Sequence, residues 1–384
     1  MKILHIGPID PNTAFGVSAS ILGLSKAQSS LGHSVALLPS VSPVSKEALS
    51  KDVFLIPNLN PRHYNPWKLS NDWINTIKAD FGIPDIINFH DTFIPFHSAF
   101  GRICERMGLP YIITPQGGLT HLALSVKPIK KKLGNILFMS HFVKSAKALF
   151  ATSNNEANDM MKSYQNSKIF ILPNGIDEEL LSLESKVNPR NLGEFSNEGD
   201  LIIGFLGRLD VYHKGIDLLL LAIKSLQDRG YGEKIKLVMI GPFHTNTDKS
   251  TIKSLLNSLK YSDKVMIVGP VYGEDKWEWF KTFDVFIHTS RFEGLPVAVL
   301  EAMAFGKPCI VTPGSNIQDI ILTSHGGFLC DESIDSIANA ISKSKERKDE
   351  LSELGNNAKT YVANYLTWKI LAQRSINIIE NILN

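Results

Sequence analysis

The chain has 384 residues, more than one hydrophobic core normally serves, so two domains are expected. Apolar residues make up 43% and charged residues 20%, the balance of a soluble globular protein, and a net charge of +2 argues against a dedicated nucleic-acid binder. Three cysteines without metal-like spacing (Cys104, Cys309, Cys330) read as reduced buried thiols of a cytoplasmic protein. Pro8 and Asp10 fall where a signal peptide needs an apolar run, and no stretch approaches the ~18 apolar residues of a membrane span.

Lys2 to Ile6 reads as a first strand, closed by Gly7 and Pro8. A loop, Asp10 to Phe15, leads to Gly16, and a helix runs from about Val17 to Leu31. No G-x-G-x-x-G follows the strand, which disfavours NAD. Val35 to Leu38 and Phe54 to Pro57 read as further strands. Pro61 to Trp73 gathers Arg62, His63, Tyr64, Trp67, Lys68 and Trp73, either an aromatic platform for a glycan or an amphipathic stretch packed on the sheet. Pro84 to Phe89 is a strand ending at His90 and Asp91. Pro110 to Thr114 is another, followed by Pro115, Gln116, Gly117 and Gly118, with His121 on a surface helix just beyond.

Lys127 to Lys147 carries six lysines among Leu133, Ile136, Leu137, Phe138 and Phe142. It reads either as a basic amphipathic face for an anionic membrane or as a core-packed helix with solvated lysines. Ala148 to Thr152 and Lys168 to Leu172 are strands, with Ser153 capping a helix that carries Glu156. Pro173-Asn174-Gly175-Ile176-Asp177 follows the last of these strands.

After a polar linker, Val187 to Asp200, comes the strand Leu201 to Leu206, then Gly207-Arg208-Leu209-Asp210 and a helix opened by Lys214-Gly215. Two cations between a strand end and a helix start can clamp a diphosphate. Ile235 to Ile240 and Val265 to Val268 are strands, the latter followed by the loop Val271-Tyr272-Gly273. Asp284 to His288 is a buried-type strand, Thr289 to Leu295 a polar loop, and Pro296 opens a helix that Gly306 ends. Lys307 to Thr312 is the next strand. Glu293 and Glu301, with seven residues between them, bracket the start of that helix. Its unpaired N–H groups and positive dipole end suit a phosphate, with a carboxylate on either side for hydroxyls. Ser333 to Lys348, Leu351 to Tyr365 and Thr367 to Asn384 read as closing helices. The alternation of short strands and helices predicts an α/β fold of two doubly wound domains.

Glu293, Gly294, Leu295, Pro296, Glu301, Ala302, Met303, Ala304 and Gly306 together resemble the signature of the family-4 retaining glycosyltransferases, the glycosyl transferases group 1. Gly207-Arg208-Leu209 and Lys214-Gly215 match the same family, as does Pro173-Asn174-Gly175-Ile176-Asp177, which the resemblance places at the hinge between two domains. The resemblance implies the GT-B architecture, two Rossmann-like domains facing across a cleft. Residues 1–176 would form the acceptor-binding domain, with 367–384 packing back on it, and 177–366 the nucleotide-sugar domain. It implies transfer of a sugar from a UDP- or GDP-type nucleoside-diphosphate sugar to a glycan or lipid-linked acceptor hydroxyl, with configuration retained. Donor binding would fall on Gly16, Arg208, Lys214, Tyr272, Glu293, Gly294, Leu295, Pro296, Val297 and Glu301. Glu293 would lie by the sugar, Glu301 on the ribose, and Arg208 and Lys214 on the diphosphate. Acceptor binding would fall on His90, Asp91, Gln116, Gly117 and His121, and catalysis on Glu293, Arg208, Lys214 and His90.

Gln116 departs from the family's His or Arg: a glutamine can bond a hydroxyl but carries no charge and shuttles no proton. No D-x-D occurs in the chain. The implied enzyme is therefore metal-independent and without cofactor, with protein cations and the helix dipole in the metal's place. The implied context is bacterial surface polysaccharide (O-antigen, capsule or exopolysaccharide), at a cytoplasmic site or on the inner face of the membrane. Two other readings stand beside it: a non-catalytic GT-B protein that holds a nucleotide sugar or glycan in an assembly complex, and a GT-B epimerase or phosphorylase.

Overall fold

The computed structural model describes residues 1–9, 15–40, 53–56, 72–126, 128–165, 167–260 and 262–384. The chain divides into two compact units, Met1–Gly175 with Leu366–Asn384, and Ile176–Tyr365.

Among the described residues of the first unit, seven strands form one sheet: β1 Lys2–Gly7, β2 Ser34–Pro39, β3 Phe54–Leu55, β4 Ile86–His90, β5 Tyr111–Thr114, β6 Ala148–Ala151 and β7 Ile169–Ile171. All pairings are parallel, in the order β3-β2-β1-β4-β5-β6-β7. Successive residues of a strand face opposite sides of a sheet. Leu4, Ile6, Ile87, Phe89 and Ile113 therefore pack on one side with Phe100, Ile103 and Phe142. Ile3, Ile86, Ile112 and Phe150 pack on the other, with Trp368, Leu371 and Ile376 of the last helix, Trp368–Leu383. Thr367 caps that helix by accepting from the Ile370 N–H. It crosses the first helix, Phe15–Ser30, at Gly23, where a Cβ would lie 2.1 Å from Trp368 Nε1. The close approach requires a glycine there.

The second unit carries six parallel strands among the described residues: β8 Leu201–Leu206, β9 Ile235–Ile240, β10 Val265–Gly269, β11 Val285–His288, β12 Cys309–Val311 and β13 Gly327–Leu329, in the order β10-β9-β8-β11-β12-β13. Its core joins Ile203, Phe205, Leu237 and Ile287 to Leu219, Ile223, Ile337 and Ile341 of the helices Ile216–Asp228 and Ile334–Glu346. Ser333 caps the latter from the Ser336 N–H.

Both sheets have the doubly wound order that reverses direction at one point, between β1 and β4 and between β8 and β11. Ligands of such sheets sit outside the carboxyl ends of the strands at that reversal. Strand β13 and the helices Asn246–Asn257 and Glu274–Thr282 lie outside the sequence expectations. β13 has only three residues and opens on Gly327, too short for a periodic pattern.

Candidate active site

In the second unit, the connections after β8 and β11 are locked together. Gly215 has φ 63°, and a Cβ on it would lie 2.1 Å from Thr289 O. Only glycine fits there. Thr289 Oγ1 donates toward Lys214 O (3.1 Å) and Gly215 O (3.2 Å), and the Arg291 N–H donates to His213 O at 3.0 Å. Arg291 grips Asp217 with two N–H groups at 2.8 and 2.7 Å. This docking brings Lys214 Nζ onto Glu293 Oε1 as an ion pair, with both side chains about 15% exposed.

Glu293 has further partners. Ser290 Oγ donates to Oε1 at 3.0 Å, while His288 Nε2 lies 3.5 Å and His213 Nε2 3.7 Å from it. Burial alone would raise the Glu293 carboxyl, but the Lys214 charge, His288 and His213 hold it well below the usual carboxylate range. Burial keeps His288 and His213 below the ordinary histidine value. Glu293 is thus a fixed anion. Asn316 Nδ2 holds the Glu293 carbonyl oxygen.

Gly294, Leu295 and Pro296 lead into the helix Val297–Ala304, whose N-terminus no side chain caps. Leu295 and Pro296 are buried, and Gly294 and Val297 half-buried. Glu301, inside the helix, bonds Lys276 Nζ at 2.7 Å. Lys276 also lies 4.6 Å from the Trp277 ring, which stacks on Phe305. Arg208 is half-exposed, 3.5 Å from Asp210 Oδ2 and 3.5 Å from His213 Nδ1. Tyr272 is exposed in the connection after β10. Arg208, Lys214, Glu293 and the Pro296 helix start therefore gather at the β8/β11 reversal, with Glu301 a turn deeper.

In the first unit, the ends of β4 and β5 are conformationally strained. Asp91 (φ 72°), Phe93 (φ 58°) and Gln116 (φ 54°) adopt the left-handed region without being glycines. Such outliers concentrate where function demands them. The Asp91 N–H donates to Thr114 O at 3.0 Å, and a Cβ on Gly118 would lie 2.1 Å from Thr92 Oγ1, so the two loops are tied together. The Gly117 N–H donates to Glu156 Oε1 at 2.6 Å. Glu156 is buried and also accepts from Thr152 N–H (2.8 Å) and Oγ1 (2.7 Å), so it holds the Gln116–Gly117 turn from below. His90 is fully buried; burial, with His5 and His97, holds it neutral, so it can accept a hydrogen bond but carries no charge at neutral pH. Gly16 lies within the helix Phe15–Ser30, exposed, with open space where a side chain would be. His121 is exposed and its N–H donates to Asp159 Oδ2.

Two family models match the chain, "Glycosyltransferase Family 4" over residues 15–180 and "Glycosyl transferases group 1" over 193–361. The chain belongs to the group 1, family-4 glycosyltransferases. An uncharacterized glycosyltransferase of Methanocaldococcus jannaschii, MJ1607, is 28% identical over 56% of this chain and 54% of its own length. The chain thus spans about half the length of that relative. Sucrose-phosphate synthase from Thermosynechococcus elongatus superposes with TM-score 0.79 at 17% identity, covering 100% of this chain and 99% of that one. Anabaena HepE in complex with UDP-glucose superposes with TM-score 0.74 at 17% identity, covering 99% and 100%. These likenesses establish the GT-B fold, two Rossmann-like units.

Within the family's motif positions, the structure adds residues that sequence reading passed over. Lys276 lies in a helix of no special pattern, and its pairing with Glu301 spans 25 positions. His213 and His288 flank Glu293 but carry no motif. Asn316 reaches Glu293 from a left-handed residue (φ 54°) after β12. Residues 61–71 of the aromatic stretch lie outside the described residues; Trp73 packs on Phe96, with ring centroids 5.1 Å apart. Lys127 likewise lies outside the described residues. The rest of its segment is one helical run, Pro128–Gly134, a π-helical turn Asn135–Met139, and Ser140–Ser145. Phe142 and Met139 are core, but Ile129, Leu133, Ile136 and Leu137 are exposed beside exposed Lys130, Lys132 and Lys144. Lys131 is turned inward, donating to Ala123 O at 2.5 Å and lying over the Phe93 ring. No helix among the described residues is long and apolar enough to cross a membrane.

Proposed function

We propose that the chain is a retaining, metal-independent glycosyltransferase that moves a sugar from a nucleoside-diphosphate sugar to the hydroxyl of a glycan or lipid-linked acceptor. The observation that carries the reading is the Lys214–Glu293 ion pair at the β8/β11 reversal, beside the uncapped helix start at Pro296. An ammonium, a guanidinium and helix N–H groups provide a seat for a diphosphate whose charge grows as it leaves. The fixed Glu293 anion beside them suits the positive charge that develops at the anomeric carbon. HepE, a protein of the same fold, is known in complex with UDP-glucose, which supports a nucleotide-sugar donor.

In the reaction, the bond from the anomeric carbon to the diphosphate oxygen breaks and its electron pair stays on that oxygen. The acceptor oxygen bonds to the same face of the carbon, and its proton passes to the leaving phosphate. Arg208 and Lys214 stabilise the phosphate. Glu301 holds the ribose, while Gly16, Tyr272 and Gly294 to Val297 line the donor. His90, Asp91, Gln116, Gly117 and His121 serve the acceptor.

The exposed apolar and basic face of 128–144 supports work on a lipid-linked intermediate at an anionic membrane surface, in the assembly of a bacterial surface polysaccharide. The test is thermal protection by a panel of UDP-, GDP- and ADP-sugars, followed by transfer to glycan acceptors with the product anomer read by NMR. A single protecting nucleotide sugar and a product of unchanged configuration are expected. An inverted product, or no protection by any member, would sink the reading.

A further inference from the structure

The first unit contains a buried polar chain that reaches from its first strand to its last helix. On β1, His5 shares the sheet side of Ile3, the side covered by the helices Phe15–Ser30 and Trp368–Leu383. There His5 Nε2 meets Gln28 Oε1 at 2.7 Å, and Gln28 Nε2 meets Ser375 Oγ at 2.9 Å. On its other ring nitrogen, His5 Nδ1 meets His90 Nε2 at 2.8 Å. All four residues are at most 1% exposed.

The directions follow from the far end. Ser375 Oγ lies 2.7 Å from Ala372 O, and a carbonyl cannot donate, so the hydroxyl gives its proton there. Ser375 Oγ must then accept from Gln28 Nε2. Gln28 accordingly turns its oxygen toward His5, and His5 carries its proton on Nε2. A neutral His5 has a bare Nδ1, which accepts from His90 Nε2–H. His90 is left with a bare Nδ1, buried and without a hydrogen-bond partner among the described residues. A buried acceptor left unpaired is costly, and native chains rarely keep one without use. This atom belongs to the last residue of β4, beside the end of β1, at the sheet's reversal point.

We propose that Ser375, Gln28 and His5 are positioning residues that lock His90 in its Nε2–H form, so that Nδ1 serves as a dedicated acceptor for one sugar hydroxyl. The identity of the ligand rests on the glycosyl-transfer reading above; the lock does not. Any occupant must bring an O–H or N–H to donate, because the ring has no proton to offer at that atom.

Selective ¹⁵N labelling of the histidine rings reads the protonation of each nitrogen directly, with His90 assigned by its loss in His90→Asn. The wild type should show Nδ1 of His90 bare and Nε2 protonated. Ser375→Ala removes the acceptor that orients Gln28 and should mix the two His90 forms, while Ser375→Thr, which keeps the hydroxyl, should restore one. The His90 Nδ1 resonance should shift on addition of UDP-glucose if the hydroxyl is the donor's, or with free D-glucose alone if it is the acceptor's. A protonated Nδ1 in the wild type overturns the lock with no variant needed. A single unchanged form in Ser375→Ala overturns the relay, and no shift with either sugar overturns the role of Nδ1. Failure of every nucleotide sugar to bind, with Nδ1 found bare, counts against the glycosyl-transfer reading and leaves the relay standing.

Discussion

Lys214 and Glu293, separated by 79 positions, form an ion pair within the second unit. Each is the other's main counter-charge, so their variants should not act independently. Glu293→Gln removes the anion that matters most when the anomeric carbon becomes cationic, and should lower kcat far more than donor affinity. Lys214→Ala should damage both constants, because the diphosphate is charged before and during departure. The double variant should be milder than the sum by about 0.5–3 kcal/mol, the range for residues in contact. Steady-state kinetics beside direct donor binding decides; near-normal turnover in Glu293→Gln would refute the assigned role.

Glu301 is predicted to act in binding rather than in chemistry. Losing the hydrogen bond that its carboxylate accepts from a ribose hydroxyl should weaken donor binding by roughly 1.5–3 kcal/mol. Glu301→Gln should therefore raise the donor KM with kcat little changed. Lys276→Met should do the same more weakly, since the 2.7 Å contact from Lys276 orients that carboxylate. A loss of kcat at unchanged donor affinity in Glu301→Gln would reverse the division of labour.

Activity should survive excess EDTA. The chain has no D-x-D, and the proposed reading puts the diphosphate's counter-charge on Lys214 and Arg208. Loss of turnover on chelation, restored by magnesium or manganese, would contradict this.

The helical run from Pro128 should bind anionic vesicles. Ile129 is 84% and Ile136 70% exposed, and exposed Lys130, Lys132 and Lys144 lie in the same run. Each lysine near such a surface adds on the order of 1 kcal/mol, screened by salt. Lys130→Ser with Lys132→Ser should weaken sedimentation with phosphatidylserine vesicles at low salt. Failure of the wild type to sediment would refute the idea.

Acid should destabilise the first unit from about pH 6.5 downward. Burial lowers His5 to about 4 and His97 to about 3, and His90 also lies well below 6.5. Above pH 6.5 these groups are neutral folded or unfolded and contribute no pH dependence. Below it the unfolded chain binds protons that the folded one refuses. Stability should then fall by about 1.4 kcal/mol per pH unit for each such histidine, from pH 6.5 toward about 4. Asp91 and Glu156, pushed up by burial, act in the opposite sense and trim the loss. Denaturant titrations across this range measure it. His97→Leu should flatten the slope by one proton, and an unchanged slope would place His97 outside the effect.

The sequence by itself determined the features written in a few neighbouring residues. Strands β8 and β9 fall on Leu201–Leu206 and Ile235–Ile240, the apolar runs themselves. Ser153, Ser333 and Thr367 cap the helices they precede, because a cap is a bond reaching only three residues ahead. Glu293 and Glu301 are legible because one loop and one helix carry both. Only the tertiary structure decided the strand order that sets β1 beside β4 and β8 beside β11, since local periodicity names strands but not their neighbours. It alone paired Lys276 with Glu301 and tied Gln28 to Ser375 across 347 positions. Such contacts form where packing brings polar groups from distant parts of the chain together away from bulk water, and nothing in the residues on either side encodes that.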